Sequence, residues 1–177
     1  MQVETHDAEG WLGDPVAFRA FYAESLPVVF SFLYHRVGGR RAVAEDLTQE
    51  TFMAVVRDIK ARTQVDAAIP WVMGIARHKL LDHYRHEERE ERRLALAFSA
   101  QPDDIAPDPE HASYADTLEA LGRIPAAQRA ALALRYLDGL SVVEVAHALD
   151  RSVHATESLL ARGRVSLRDQ LEEVRRG

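Results

Sequence analysis

Apolar side chains recur at helical spacing along most of the chain, and strand-like alternation persists nowhere. Phe18, Phe21, Tyr22, Leu26, Val29, Phe30 and Leu33 outline a first helix. It opens at Asp14-Pro15, with aspartate as N-cap and proline at the first helical position, and runs to about Arg36. Gly38-Gly39 breaks it. A second helix is expected from about Arg40 to Lys60, with Val43, Leu47, Phe52, Val55 and Val56 on its apolar side. Arg62 to Ile69 reads as a loop. Pro70 opens a third helix through Trp71, Ile75, Leu80, Leu81 and Tyr84, which extends into the charged run His86 to Arg93. Pairs such as Glu88 with Arg92 support that extension, and Glu87 to Arg93 reads as a solvated helix end.

The texture changes from Phe98 to Glu110, where Pro102, Pro107 and Pro109 alternate with Asp103, Asp104 and Asp108. Acidic, proline-rich and short of large apolar residues, this stretch reads as a flexible linker. The expected organisation is all-α: a helical domain over 14–95, a linker over 96–112 and a second helical domain over 113–174. In the second domain a helix around Thr117 to Arg123 precedes one that starts at Pro125 and ends at Asp138-Gly139. Ser141-Val142-Val143-Glu144 has the form of a capping box, in which serine and glutamate side chains satisfy each other's backbone ends. The short helix after it places Val142, Val145, Ala146 and Leu149 inward. After a turn at Asp150-Arg151, Ser152 caps a last helix of about 20 residues. Two short helices with a tight turn and a small residue, Ala146, at their contact form the helix-turn-helix pattern. Asp150 stands where the turn favours a left-handed residue, a conformation aspartate tolerates better than most.

One polar face of the second helix carries chemistry. Asp46, Gln49, Glu50 and Met53 share it at i, i+3, i+4 and i+7, with few basic neighbours in sequence. A solvated helix produces the same pattern. The separately placed helix-turn-helix block, Leu140 to Arg168, favours instead a protein dock on a DNA-linked machine.

Composition narrows the rest. The 177 residues carry a net charge of -6, which argues against indiscriminate nucleic-acid binding and leaves only local basic patches for DNA. Arg77, Lys79 and Arg85 form one patch; Arg151, Arg162, Arg164 and Arg168 form another. With no cysteine there is neither disulfide nor thiolate site. No apolar run is expected to approach the ~18 residues of a membrane span, and a cytoplasmic location follows as the default. His78, Asp82 and His86 fall at i, i+4 and i+8 and could ligate a metal, or could equally face DNA. Trp71 suits core packing or base stacking. No nucleophile–base pair and no phosphate loop is present, so neither enzymatic activity nor a cofactor is expected.

Ala44-Glu45-Asp46-Leu47-Thr48-Gln49-Glu50-Thr51-Phe52, then Trp71 through Arg85, then Leu140 through Arg168 together resemble the extracytoplasmic-function group of sigma-70 factors. The resemblance covers about residues 15–93 and 113–172 and implies a sigma2-like bundle and a sigma4-like helix-turn-helix domain. It implies a factor that binds core RNA polymerase, through the beta-prime clamp helices and the beta flap, and directs promoter recognition. An anti-sigma factor is the further partner it implies, with no membrane insertion of the chain's own.

Carried over, Asp46, Gln49, Glu50 and Met53 contact the clamp. Arg62, Thr63, Gln64, Val65 and Asp66 capture a base flipped from the -10 strand. Arg77, Lys79 and Arg85 track phosphates, with His78, His83 and Tyr84 near bases or sugars. Ser152, His154, Ala155, Ser158 and Arg162 enter the major groove at the -35 element, while Arg151, Arg164 and Arg168 contact phosphate. Two positions depart from the family: Glu157 and Leu159 stand where basic residues are frequent. Glu157 in the reading helix repels phosphate and could accept from a cytosine amino group. His154, where glycine is common, adds bulk. The residues alone also fit an autonomous helix-turn-helix regulator with an amino-terminal helical sensor or dimerisation domain, or a small helical metalloenzyme using the His/Asp stripe.

Overall fold

A computed structural model describes residues 15–60, 68–95 and 113–176. The Asp14 cap, the Arg62–Asp66 base-capture loop and the 96–112 linker lie outside the described residues. The elements among the described residues are all helical: α1 Pro15–Arg36, α2 Arg41–Lys60, α3 Ala68–Ala95, α4 Tyr114–Arg123, α5 Ala126–Leu132, α6 Val142–Ala148 and α7 Val153–Arg176. The expected all-α class holds. Two starts move: α3 begins at Ala68 ahead of Pro70, and α4 begins at Tyr114 ahead of Thr117. The second shift has a local cause. Ser113 and Asp116 form a reciprocal capping box that fixes the start of α4.

The chain divides into two compact units, one drawn from Met1–Tyr34 and Arg41–Leu80, the other from His35–Arg40 and Leu81–Gly177.

In the first unit α1, α2 and the start of α3 bury Val29, Leu33, Ala44, Val55, Val72, Ala76 and Leu80. Phe21 and Tyr22 of α1 meet the edge of Phe52 on α2, with ring centroids 6.5 and 4.7 Å apart. Val72, Ala76 and Leu80 recur every four residues, so α3 turns one stripe inward. The buried Ser25, Thr48 and Thr51 hydroxyls each donate to the carbonyl four residues back, so no polar atom of theirs is stranded. By length and a mean hydropathy of 1.4, α1 is apolar enough to cross a membrane, which corrects the expectation that no segment approaches that limit. Phe21, Val29, Phe32 and Leu33 of α1 are buried within the bundle.

In the second unit α7 lies across α4, α5 and α6. Leu121, Ile124, Leu132, Leu134, Val145, Leu159 and Leu160 form its core, and Leu81 of α3 packs against it. The α6 start is the expected capping box, Ser141 with Glu144, and Ser152 caps α7 by accepting from the Ala155 amide at 3.2 Å. Asp150 is left-handed at φ 53°. Past Leu132 the fifth helix widens into a π-helical turn, Ala133–Leu137, in which the Asp138 amide donates to Ala133 O at 3.1 Å. Two glycines are required where the turn after α1 meets α4. A Cβ on Gly122 would sit 2.5 Å from Gly38 O, and Gly38 itself has φ +70°.

Candidate nucleic-acid interface

The outward face of α2 carries Asp46, Gln49, Glu50 and Met53, all exposed, with Met53 at 59%. The inward positions Ala44, Leu47, Thr48, Thr51 and Val55 are buried and anchor the helix, which leaves the opposite face exposed. Glu50 is not without a cation, as its neighbours in sequence imply: Lys79 Nζ of α3 lies 3.2 Å from its Oε2. That pair takes Lys79 out of the open basic groups and, among the described residues, leaves Asp46 and Gln49 as the unmatched polar centre of the face. Val56, expected on the apolar side, is 37% exposed and extends the surface beyond Met53.

On α3, Arg77 and His78 are exposed, and the Arg77 guanidinium lies 5.9 Å from the ring centre of Phe32. Trp71 is half-buried. Among the described residues no three histidine, aspartate or glutamate side chains could hold a metal together, and Asp82 of the His/Asp stripe pairs with Arg85 at 3.2 Å. Tyr84 corrects the expectation of a base or sugar contact. Its side chain is 1% exposed and its hydroxyl donates to Arg36 O at 2.8 Å, so here it supports the fold. Burial pushes its phenol well above the ordinary tyrosine range.

His83 also turns inward. Its Nε2 lies 3.0 Å from Glu87, at the centre of a network that no sequence pattern announces. Glu87 takes Arg40 in a two-pronged pair, at 2.5 and 3.0 Å, and Arg129 at 2.7 Å. Arg129, 2% exposed, gives its other arm to the carbonyls of Gly122 and Ile124, both at 3.1 Å. Burial alone would raise the Glu87 carboxyl. The hydrogen bonds from His83 and Arg40 and the charge of Arg129 outweigh it and hold the group well below the usual carboxylate range. The run from Glu87 is therefore not simply a solvated helix end. An arginine set among the alanines of Ala126–Ala133 is the one signal in the sequence for it.

On α7 the outward face presents Ser152, His154, Glu157, Ser158, Arg162 and Arg164, with Ala155 half-buried between them. Arg164 reaches the Tyr136 hydroxyl at 3.4 Å, and Arg168 is half-buried near the core. Leu159 points into the core at 4% exposure, so its departure from a basic residue serves packing. Glu157 remains on the outer face, in the second turn of α7. Arg151 is already matched: its guanidinium forms an ion pair with Glu88 of α3. Arg85 likewise donates to Ala148 O at 3.1 Å, at the end of α6.

Residues 21–90 match Sigma-70 region 2, and residues 114–167 match Sigma-70, region 4. The α2 face lies within the first match and the α6–α7 pair begins within the second. The chain is 33% identical over 152 residues to the ECF RNA polymerase sigma factor BldN of Streptomyces coelicolor, an alignment covering 83% of this chain and 57% of that protein. It thus spans little more than half of that relative. Over 159 residues it is 31% identical to the RNA polymerase sigma factor CarQ of Myxococcus xanthus, covering 89% of this chain and 91% of that one. Among solved structures, the sigma factor RpoE of Bartonella quintana, in complex with the anti-sigma factor NepR, aligns with TM-score 0.49 at 21% identity, covering 88% of this chain and 97% of that one. Two region matches in sequence order, and a relative covered almost end to end, place the chain in the extracytoplasmic-function group of the sigma-70 family of RNA polymerase sigma factors.

Proposed function

We propose that this chain is a non-enzymatic initiation subunit that docks on core RNA polymerase through α2 and directs it to promoters through α3 and α7. The supporting observation is the α2 face: Asp46, Gln49 and Met53 are exposed on a helix whose opposite side is locked into the bundle. Acidic and amide groups on a stiff helix suit a basic coiled-coil partner such as the beta-prime clamp helices, and their fixed spacing sets the docking register. In this reading 14–95 serves polymerase and -10 binding, 96–112 links, and 113–174 reads the -35 element and meets the beta flap.

Arg62, Thr63, Gln64, Val65 and Asp66 capture the flipped base, while Arg77 and His78 meet the strand beside it. His154, Ala155, Glu157, Ser158 and Arg162 face the major groove, with Ser152 at the helix start and Arg151, Arg164 and Arg168 towards phosphate. A chain of net charge -6 binds DNA only weakly by itself, and the bond to polymerase supplies the remaining affinity. The site of action is the cytoplasm, and an anti-sigma factor completes the partners on family membership alone. The test is capture of bacterial core polymerase by the wild type and by Asp46→Arg/Gln49→Ala. The double variant should bind at least about tenfold more weakly while keeping its helical circular dichroism. Undiminished binding would remove α2 as the dock. No binding by the folded wild type would favour an autonomous helix-turn-helix regulator.

A further inference from the structure

The end of α3 supplies carboxylates to the start of α5 and to the turn that opens α7. Glu88 pairs with Arg151, at the turn that opens α7, and both side chains are only about one-fifth exposed, at 21% and 20%; the same carboxylate oxygen also takes the exposed Arg92 at 2.6 Å. Glu91 lies three residues on, and both its oxygens accept from the Ala126 amide, at 2.9 and 3.0 Å. That amide heads α5, whose N-cap is Pro125 and offers no side-chain cap. Glu91 thus provides a missing cap from another helix. Arg85 on the same helix donates to Ala148 O, just before the turn. A cleft of about 710 Å³ runs beside these groups, but Arg40, Arg129 and Arg151 in its wall are each already matched by Glu87 or Glu88. Internal pairing is the chemistry of this cluster.

A carboxylate on a guanidinium at the start of a reading helix occupies the position that a DNA phosphate would take. We propose that Glu88 is an intramolecular phosphate mimic which restrains Arg151 in the free chain, so that duplex DNA must displace it before α7 can dock. The inference rests on the reading of α7 as the DNA-binding helix. It makes the free chain a weaker DNA binder than its exposed reading face alone would be. Glu91 and Arg85 hold the end of α3 where Glu88 can act.

The experiment is fluorescence anisotropy of the full chain with a random-sequence DNA duplex at low salt, where phosphate contacts are strongest. Glu88→Gln is compared with Glu90→Gln, an equal change of charge on the same helix at a residue that, among the described residues, pairs with Arg93 alone. Each change frees one exposed arginine of α3, Arg92 or Arg93, so the difference isolates Arg151, and Glu88→Gln should bind about fivefold more tightly than Glu90→Gln. In the Arg151→Gln background that gain should vanish. Equal affinities for Glu88→Gln and Glu90→Gln, or a gain that survives without Arg151, would overturn the proposal and leave the DNA-binding role intact. If no folded variant, nor the wild type, binds duplex at all, the reading of α7 fails and takes the proposal with it. Circular dichroism identifies folded variants. Should Glu88→Gln not fold, Glu88→Ala carries the same comparison.

Discussion

Replacing Glu87 by glutamine keeps the shape of the side chain and removes the charge on which two guanidinium groups and the His83 ring converge. Arg129 loses most, because at 2% exposure it cannot turn to water, and its Nε already lacks a partner. Its remaining ties are two neutral carbonyls, Gly122 and Ile124. Removing one partner of a buried ion pair costs about 3–5 kcal/mol, and the 19% exposure of Glu87 points to the lower end, about 3 kcal/mol. With a urea dependence of about 2 kcal/mol per molar, the unfolding midpoint should fall by about 1.5 M. Urea titration followed by circular dichroism at 222 nm measures this. Arg129→Met combined with Glu87→Gln should cost clearly less than the sum of the two single changes, because the stranded charge is then gone. A midpoint shift below about 0.5 M, or strict additivity, would refute the reading of Glu87 as the counter-charge that lets Arg129 be buried.

Two further outcomes rest on the same packing. Because the Glu87 carboxyl is held below its ordinary value of 4.5, its contribution is complete above that pH and is lost as pH falls through the folded-state value. The stability gap between wild type and Glu87→Gln should therefore narrow as urea titrations move from pH 7 to strongly acid solution; a constant gap would show that the charge is irrelevant. Gly122→Ala places a Cβ against the backbone of Gly38 and should cost about 1–3 kcal/mol, read as a lower thermal midpoint. An unchanged midpoint would mean that the two turns can move apart freely.

Local chemistry is legible in the sequence; distant pairing is not. The 141–144 capping box, the Ser152 cap and the left-handed Asp150 depend on residues within a few positions of one another, and each stands as the pattern implies. The Ser113–Asp116 box is equally local, but its acid is aspartate and no long apolar run comes after it to draw attention to it. Glu87 and Arg129 lie 42 positions apart, and no periodicity links them. Tyr84 misleads for a similar reason. Amid basic residues it suggests a DNA contact, whereas its hydroxyl finds a carbonyl 48 positions away. Leu159 looks like a lost cation when read along the helix, and only the placement of α7 shows that its position faces the core. For the α2 face, helical spacing reveals which side chains point outward but not that Lys79 comes to Glu50.

The π-helical turn at Ala133–Leu137 bears on how this chain can change by insertion and deletion. A π turn holds one residue more than an α turn over the same span. Deleting one residue there would let the helix close as regular α, a change that a helix elsewhere could not absorb. The same deletion in a regular α-helix would rotate everything after it by about 100°; here the segment after the turn keeps close to its present orientation. Asp138, buried at 3% side-chain exposure with Arg36 at 2.5 Å, stays within reach of that partner. The π turn is thus the place in this helix where chain length can change without breaking the Arg36–Asp138 pair. An alignment of relatives that opens a one-residue gap at 133–137 should find the Arg36–Asp138 pairing kept in the sequences that carry the gap.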